Sequence, residues 1–125
     1  MANRARGEIE IQLGGKTYTL APTVSAILEI EEAAGSGIGA LLIRFMKSDV
    51  GLKSLSAIIY GGIVGSLPEG ERPSLSFLQI AELVRKDGLT KFIKPCGQFL
   101  TNCTTGDDAE KEDPKPGEAR APEGG

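Results

Sequence analysis

The run RGEIEIQLGGKTYTL, residues 6–20, is two stretches of alternating character around a pair of glycines, and nothing else in the chain reads as a strand. Two strands alone are at best marginally stable in water, so this hairpin must lie on other parts of the chain. Ile9, Ile11 and Leu13 alternate with Glu8, Glu10 and Gln12, and Tyr18 and Leu20 alternate with Thr17 and Thr19. Period two marks a sheet with one apolar face. Gly14-Gly15 supplies the positive φ angles of a two-residue hairpin turn. The hairpin is expected over 7–20, preceded by a flexible basic arm at 1–6.

Everything that could cover the apolar face reads as helix. Pro22-Thr23 opens a helix expected at about 23–34, with Thr23 as its cap and Gly35 ending it. Ser25, Glu29 and Glu32 form its wet side, while Val24, Ile27, Leu28, Ile30 and Ala34 fill the rest. Further helices are expected at about 37–47, capped by Ser36, and at about 50–66, capped by Asp49. The second buries Ile38, Leu41, Leu42, Phe45 and Met46, and the third Leu52, Leu55, Ile58, Ile59 and Ile63. A Pro/Gly loop, LPEGERP, separates them from a helix at 76–87, where Ser76 and Gln79 have the spacing of a capping box. A last helix at 90–103 aligns Phe92, Cys96, Phe99, Leu100 and Cys103, with Pro95 either kinking or restarting it. The fold class is α+β, mostly helical: one domain over 7–103 with an N-terminal β-hairpin packed on four or five short α-helices.

The formal net charge of −3 belongs to the C-terminal end. From Asp107 onward seven acidic residues stand against three basic ones, so the body is close to neutral and offers nothing that would draw it to nucleic acid. Residues 104–125 hold no aromatic and no branched aliphatic side chain and are expected to form a disordered acidic tail. The start, MANRARG, is basic without a following apolar stretch, so no secretory signal is expected. The longest apolar-looking segment, SLSAIIYGGIVGSL, is 14 residues with three glycines, too short to span a membrane. A soluble cytoplasmic protein is expected.

Catalytic chemistry is scarce. There is no histidine, the commonest general base and metal ligand. Cys96 and Cys103 lie seven apart, about 10 Å of helical rise, too far for a disulfide. Two cysteines without histidine make a poor zinc site, and both suit a core. Glu29 and Glu32 share a face, which reads as a solvated one. No phosphate loop is present, because GGKT lacks the upstream glycine spacing. An enzyme, a metal and a cofactor are therefore not expected.

Two features point to contacts instead. Glu31 falls inside the apolar arc of the first helix. Its carboxylate either reaches water at the rim or is buried beside a cation, from Arg6, Lys16 or a partner. In the third helix Ser54, Ala57, Gly61 and Gly65 form a stripe of small side chains beside Leu55, Ile58 and Ile59. Helical glycines cost about 1 kcal/mol each relative to alanine, and close approach of another helix, own or foreign, would offset that.

The ordered series NRARGE, LGGKTYTLAPT and EIEEAAG resembles the tail assembly chaperones of gene transfer agents and related tailed prophages. The matching positions are Asn3, Arg6, Gly7 and Glu8; Gly15, Tyr18 and Leu20; Pro22 and Thr23; and Glu29, Ile30, Glu31 and Gly35. The resemblance spans the first third of the chain, with a weaker echo in the third and fourth helices. It implies a non-catalytic chaperone that binds the helical, apolar tape measure protein during tail assembly. On that reading Glu31, Ser54, Ala57, Ile58, Gly61 and Gly65 are candidate partner-binding residues, and the hairpin edge could pair with a neighbouring copy. The alternative is a structural tail component, a tube or connector subunit retained in the particle. A small regulatory module is a third possibility, without a basic reading helix to support it.

Overall fold

The turn between the strands fixes everything that follows in the sheet. In the computed structural model, which describes residues 3–111, Gly14 and Gly15 have φ of 60° and 84°, values open to glycine at little cost. They set β1 (Ile9–Leu13) antiparallel to β2 (Lys16–Leu20), with Leu13 opposite Lys16, Ile11 opposite Tyr18 and Ile9 opposite Leu20. The alternation then buries Ile11, Leu13 and Leu20. On the other face Gln12 Nε2 donates to Thr17 Oγ1 at 2.7 Å.

Five helices follow: α1 (Val24–Ala34), α2 (Ile38–Met46), α3 (Leu52–Ser66), α4 (Phe77–Asp87) and α5 (Thr90–Lys111). The central helix is α3, touched by β2, α1, α4 and α5. Its middle is buried almost all round, including Leu55, Ala57, Ile58, Ile59, Ile63 and Val64. Phe92, Cys96, Phe99 and Leu100 of α5 and Ile80 and Val84 of α4 complete the core beneath the hairpin. The hairpin is thus one wall of a helical core rather than a free-standing sheet.

The helix starts follow local chemistry, with two differences from the sequence reading. Thr23 caps α1, accepting from Ala26 N–H, and Ser76 and Gln79 form the reciprocal box of α4 at 3.1 and 2.8 Å. α2 begins at Gly37, not under a Ser36 cap, because Ser36 Oγ accepts from Arg44 Nη2 instead. α3 begins at Gly51, not under Asp49, and Ser54 Oγ takes the Gly51 N–H. Pro95 lies within α5 without breaking it; the helical path breaks at Gly106 instead.

Other expectations need correction. Val24, Leu28 and Met46 are exposed (73%, 61% and 75%), because α1 turns its Ala26–Ile30 side to α3 and only Leu41 of α2 is fully buried. The arm expected over 1–6 is, from Asn3, a capped 3-10 turn over Arg4–Arg6. The tail expected from residue 104 begins inside α5, and its part from 112 onward lies outside the described residues.

Burial raises both thiols above their ordinary value, Cys103 to about 12. The folded protein keeps these protons where the unfolded chain loses them. Stability should therefore be full below pH about 9 and fall as pH rises toward 12, by up to about 1.4 kcal/mol per pH unit for each thiol. Urea unfolding at pH 7.5 and 10 checks this. A Cys96→Ala/Cys103→Ala variant should lose that part of the slope.

Candidate interaction surface

The small-residue stripe of α3 faces inward. A Cβ on Gly61 would collide with Ile30 Cγ1 and lie 2.9 Å from Ala26 O, and one on Gly62 would lie 2.7 Å from Leu20 Cβ. A Cβ on Gly65 would collide with Ala21 O and lie 2.6 Å from Ala26 Cβ. These glycines let α1 and the end of β2 press on the helix backbone. Ala21 N–H reaches Gly62 O at 3.0 Å, and Thr23 Oγ1–H reaches Gly65 O at 3.4 Å. Ala57 and Ile58 are fully buried, and Ser54 is spent on the start of α3. The groove expected for a partner helix is filled by α1 of the same chain.

Glu31 has a different partner from any the sequence suggested. Its Oε2 accepts from Ile38 N–H at 2.9 Å, across the Gly35–Gly37 turn, so it caps α2 in place of the missing side-chain cap. The carboxylate also sits at the positive end of that helix. Glu31→Ala should cost about 1 kcal/mol, within the range of lost caps. Glu31→Gln, which keeps an acceptor, should cost less. Thermal melts of the two variants give the comparison.

The residues of the NRARGE stretch hold one another. Asn3 Oδ1 accepts from Ala5 N–H, and Asn3 N–H donates to Glu8 Oε1 at 2.7 Å. Gly7, at φ 80°, closes the turn, and its carbonyl accepts from Asn102 Nδ2 of α5 at 2.9 Å. A Cβ there would lie 3.1 Å from Pro22 Cγ and 3.3 Å from Asn102 Cβ. Asn3 and Glu8 thus shape the turn, Gly7 fastens it to α5, and Pro22 packs beside Gly7.

Beside this turn lies an open cleft of about 780 Å³. It is lined by Arg6 and Glu8, by Thr17, Tyr18 and Thr19 of β2, by Ile63, Ser66 and Leu67 at the end of α3, and by the 71–75 loop. Arg72 anchors that loop. Its Nη2 donates to Glu29 Oε2 at 2.8 Å and to Tyr60 OH at 3.0 Å, and its guanidinium carbon lies 5.7 Å from the Tyr60 ring centroid. The hydrogen bond to Glu29, then that to Tyr60, raises the Arg72 pKa further. Tyr60 in turn meets Phe77 edge to face at 6.1 Å. Glu29, read as a plain solvated carboxylate, is thus the loop's anchor point. Arg72 itself carried no signal beyond standing between Glu71 and Pro73 in a loop.

Among the described residues no group of three or more Cys, Asp or Glu could hold a metal ion, and no helix is long and apolar enough to cross a membrane. The cleft brings the edge of β2 next to the loop that Arg72 holds.

No curated protein and no solved structure matches the chain. A family model does, over residues 6–105, from the N-terminal turn through the hairpin and helices to the end of α5 before its break. With that much of its length matched, the chain belongs to the phage tail tube protein family GTA-gp10.

Proposed function

We propose that this protein is a structural, non-catalytic component of a phage or gene transfer agent tail, a tube or connector subunit retained in the particle. The observation that carries this reading is the match of the hairpin and all five helices to a tail tube family. The surface is consistent with it, offering a strand edge and a braced loop for protein contacts. Quantitative mass spectrometry of purified particles tests it. The expected result is this chain in the particle at many copies, in fixed ratio to the other tail proteins.

The second reading is an assembly chaperone that binds the tape measure protein. The small-residue groove no longer supports it, since α1 occupies that site. What favours it is the set of exposed apolar side chains, Val24 and Leu28 on α1, Ile43 and Met46 on α2 and Leu78 on α4, which could cover an apolar client. Absence from particles, with co-purification of soluble tape measure protein, would establish this reading and overturn the first.

A further inference from the structure

We infer that the cleft binds the chain's own C-terminal segment, residues 117–121 adding to the free edge of β2 as a third, antiparallel strand. The inference stands independently of the tail-component reading, and the segment lies outside the family match, which ends at residue 105.

The parity of the hairpin decides which backbone groups await a partner. In a two-residue turn the flanking residues, Leu13 and Lys16, form a hydrogen-bonded pair, so Ile11–Tyr18 and Ile9–Leu20 do as well. Thr17 and Thr19 therefore turn their N–H and C=O groups away from β1. Neither backbone takes a hydrogen bond elsewhere among the described residues. Both residues line the cleft, so the space next to the edge is open. The edge carries no proline, no bulge and no charge between Lys16 and Leu20, and an edge without those devices calls for a cover.

The path of the chain brings the cover to one end of that edge. Asn102 Nδ2 donates to Gly7 O, which sets the last turns of α5 beside Arg6 and Glu8. Glu8 precedes Ile9, which is opposite Leu20, so this is the Leu20 end of β2 and of the cleft. From Asn102 to Lys111 a helix would rise about 14 Å, and residues 112–116 span up to about 17 Å, so the chain has the length to return there. Entering at the Leu20 end, it runs antiparallel to β2. Arg4 and Arg6, exposed and without an ion pair among the described residues, stand at this entrance to meet Glu112 and Asp113.

The sequence of the segment fits the edge. Pro116 and Pro122 bound GEARA, residues 117–121, the longest proline-free run after Lys111. Its charges alternate with small residues. With Glu118 opposite Thr19 and Arg120 opposite Thr17, the two pairs exchange four backbone hydrogen bonds. Both charged side chains then share the outer face with the threonines, and Ala119 and Ala121 take the side of Tyr18.

Hydrogen exchange of the full chain, read at single amides in dilute solution, tests this. The Thr17 and Thr19 amides should exchange about tenfold or more slowly than in an Arg120→Pro variant, at a ratio independent of protein concentration. Arg120→Pro deletes a donor of the added strand without touching the domain, so its circular dichroism should match wild type. Arg120→Ala keeps that N–H and should keep the protection. Wild-type amides that exchange freely overturn the inference, as does protection that survives Arg120→Pro. Equal loss in the two variants overturns strand pairing in favour of a charge contact. Protection that appears only as concentration rises assigns the edge to another copy and overturns it too.

Discussion

Gly65→Ala should destabilise the protein by about 2 kcal/mol or more, although alanine is the better helix former by about 1 kcal/mol. The added methyl would strike the Ala21 carbonyl oxygen and lie 2.6 Å from Ala26 Cβ and 2.7 Å from Thr23 Oγ1. Two of these three atoms belong to the backbone or to a short side chain at the cap of α1, so neither can swing aside. Relief requires α1 to lift from α3, which opens the Ile30 contact one turn earlier. For a domain of this size the melting temperature should fall by roughly 10 °C. Gly39→Ala is the control. Gly39 is helical, and its added Cβ meets nothing within 4 Å, so the same chemical change should raise stability by up to about 1 kcal/mol. Opposite signs from one substitution type would show that α3 keeps its glycines for contact with α1. Gly61→Leu, which a partner groove would tolerate for folding, should fail to fold.

These glycines show where sequence reasoning runs out. Their spacing signals close approach of something to α3, and that inference holds. Whether the approaching element is α1, another helix or another protein depends on the path of the chain, which periodicity does not encode. Glu31 is the same kind of case. Its misfit in the apolar arc is visible as a pattern, but its partner is a backbone N–H seven residues on, presented by the Gly35–Gly37 turn. A side-chain pattern says nothing about which backbone donors lack a partner. The features that were legible are those decided locally: the double-glycine turn, the Thr23 cap, the Ser76–Gln79 box and the aromatic face of α5. Val24 and Leu28 were misplaced because an apolar arc can be wider than the surface available to cover it. Arg72 was invisible because a loop has no period, and its two partners, Glu29 and Tyr60, come from α1 and α3. The cleft edge was legible in principle. Once the turn has two residues, parity alone assigns Thr17 and Thr19 outward.

Leu20→Ala should cost about 3 kcal/mol, within the range for buried leucines, and the way the loss is distributed matters as much as its size. Leu20 is fully buried, and its side chain lies against Gly62 of α3 where a Cβ would stand. It is also the last residue of β2, directly before Ala21, whose N–H reaches Gly62 O. A two-stranded ribbon has too little stability of its own to survive without that anchor. If the hairpin is a wall of the core, its melting and that of the helices are one event. Hydrogen exchange should then show the Ile11 and Tyr18 amides opening with the same free energy as those of α3, in wild type and variant alike. Thr17→Ala, on the exposed face of the same strand, should change stability by less than about 0.5 kcal/mol. A Leu20→Ala variant whose hairpin amides exchange early while α3 stays protected would show a separable flap. The open edge of β2 would then belong to a mobile element, whereas joint melting makes it a fixed template on which another strand can add without first being ordered.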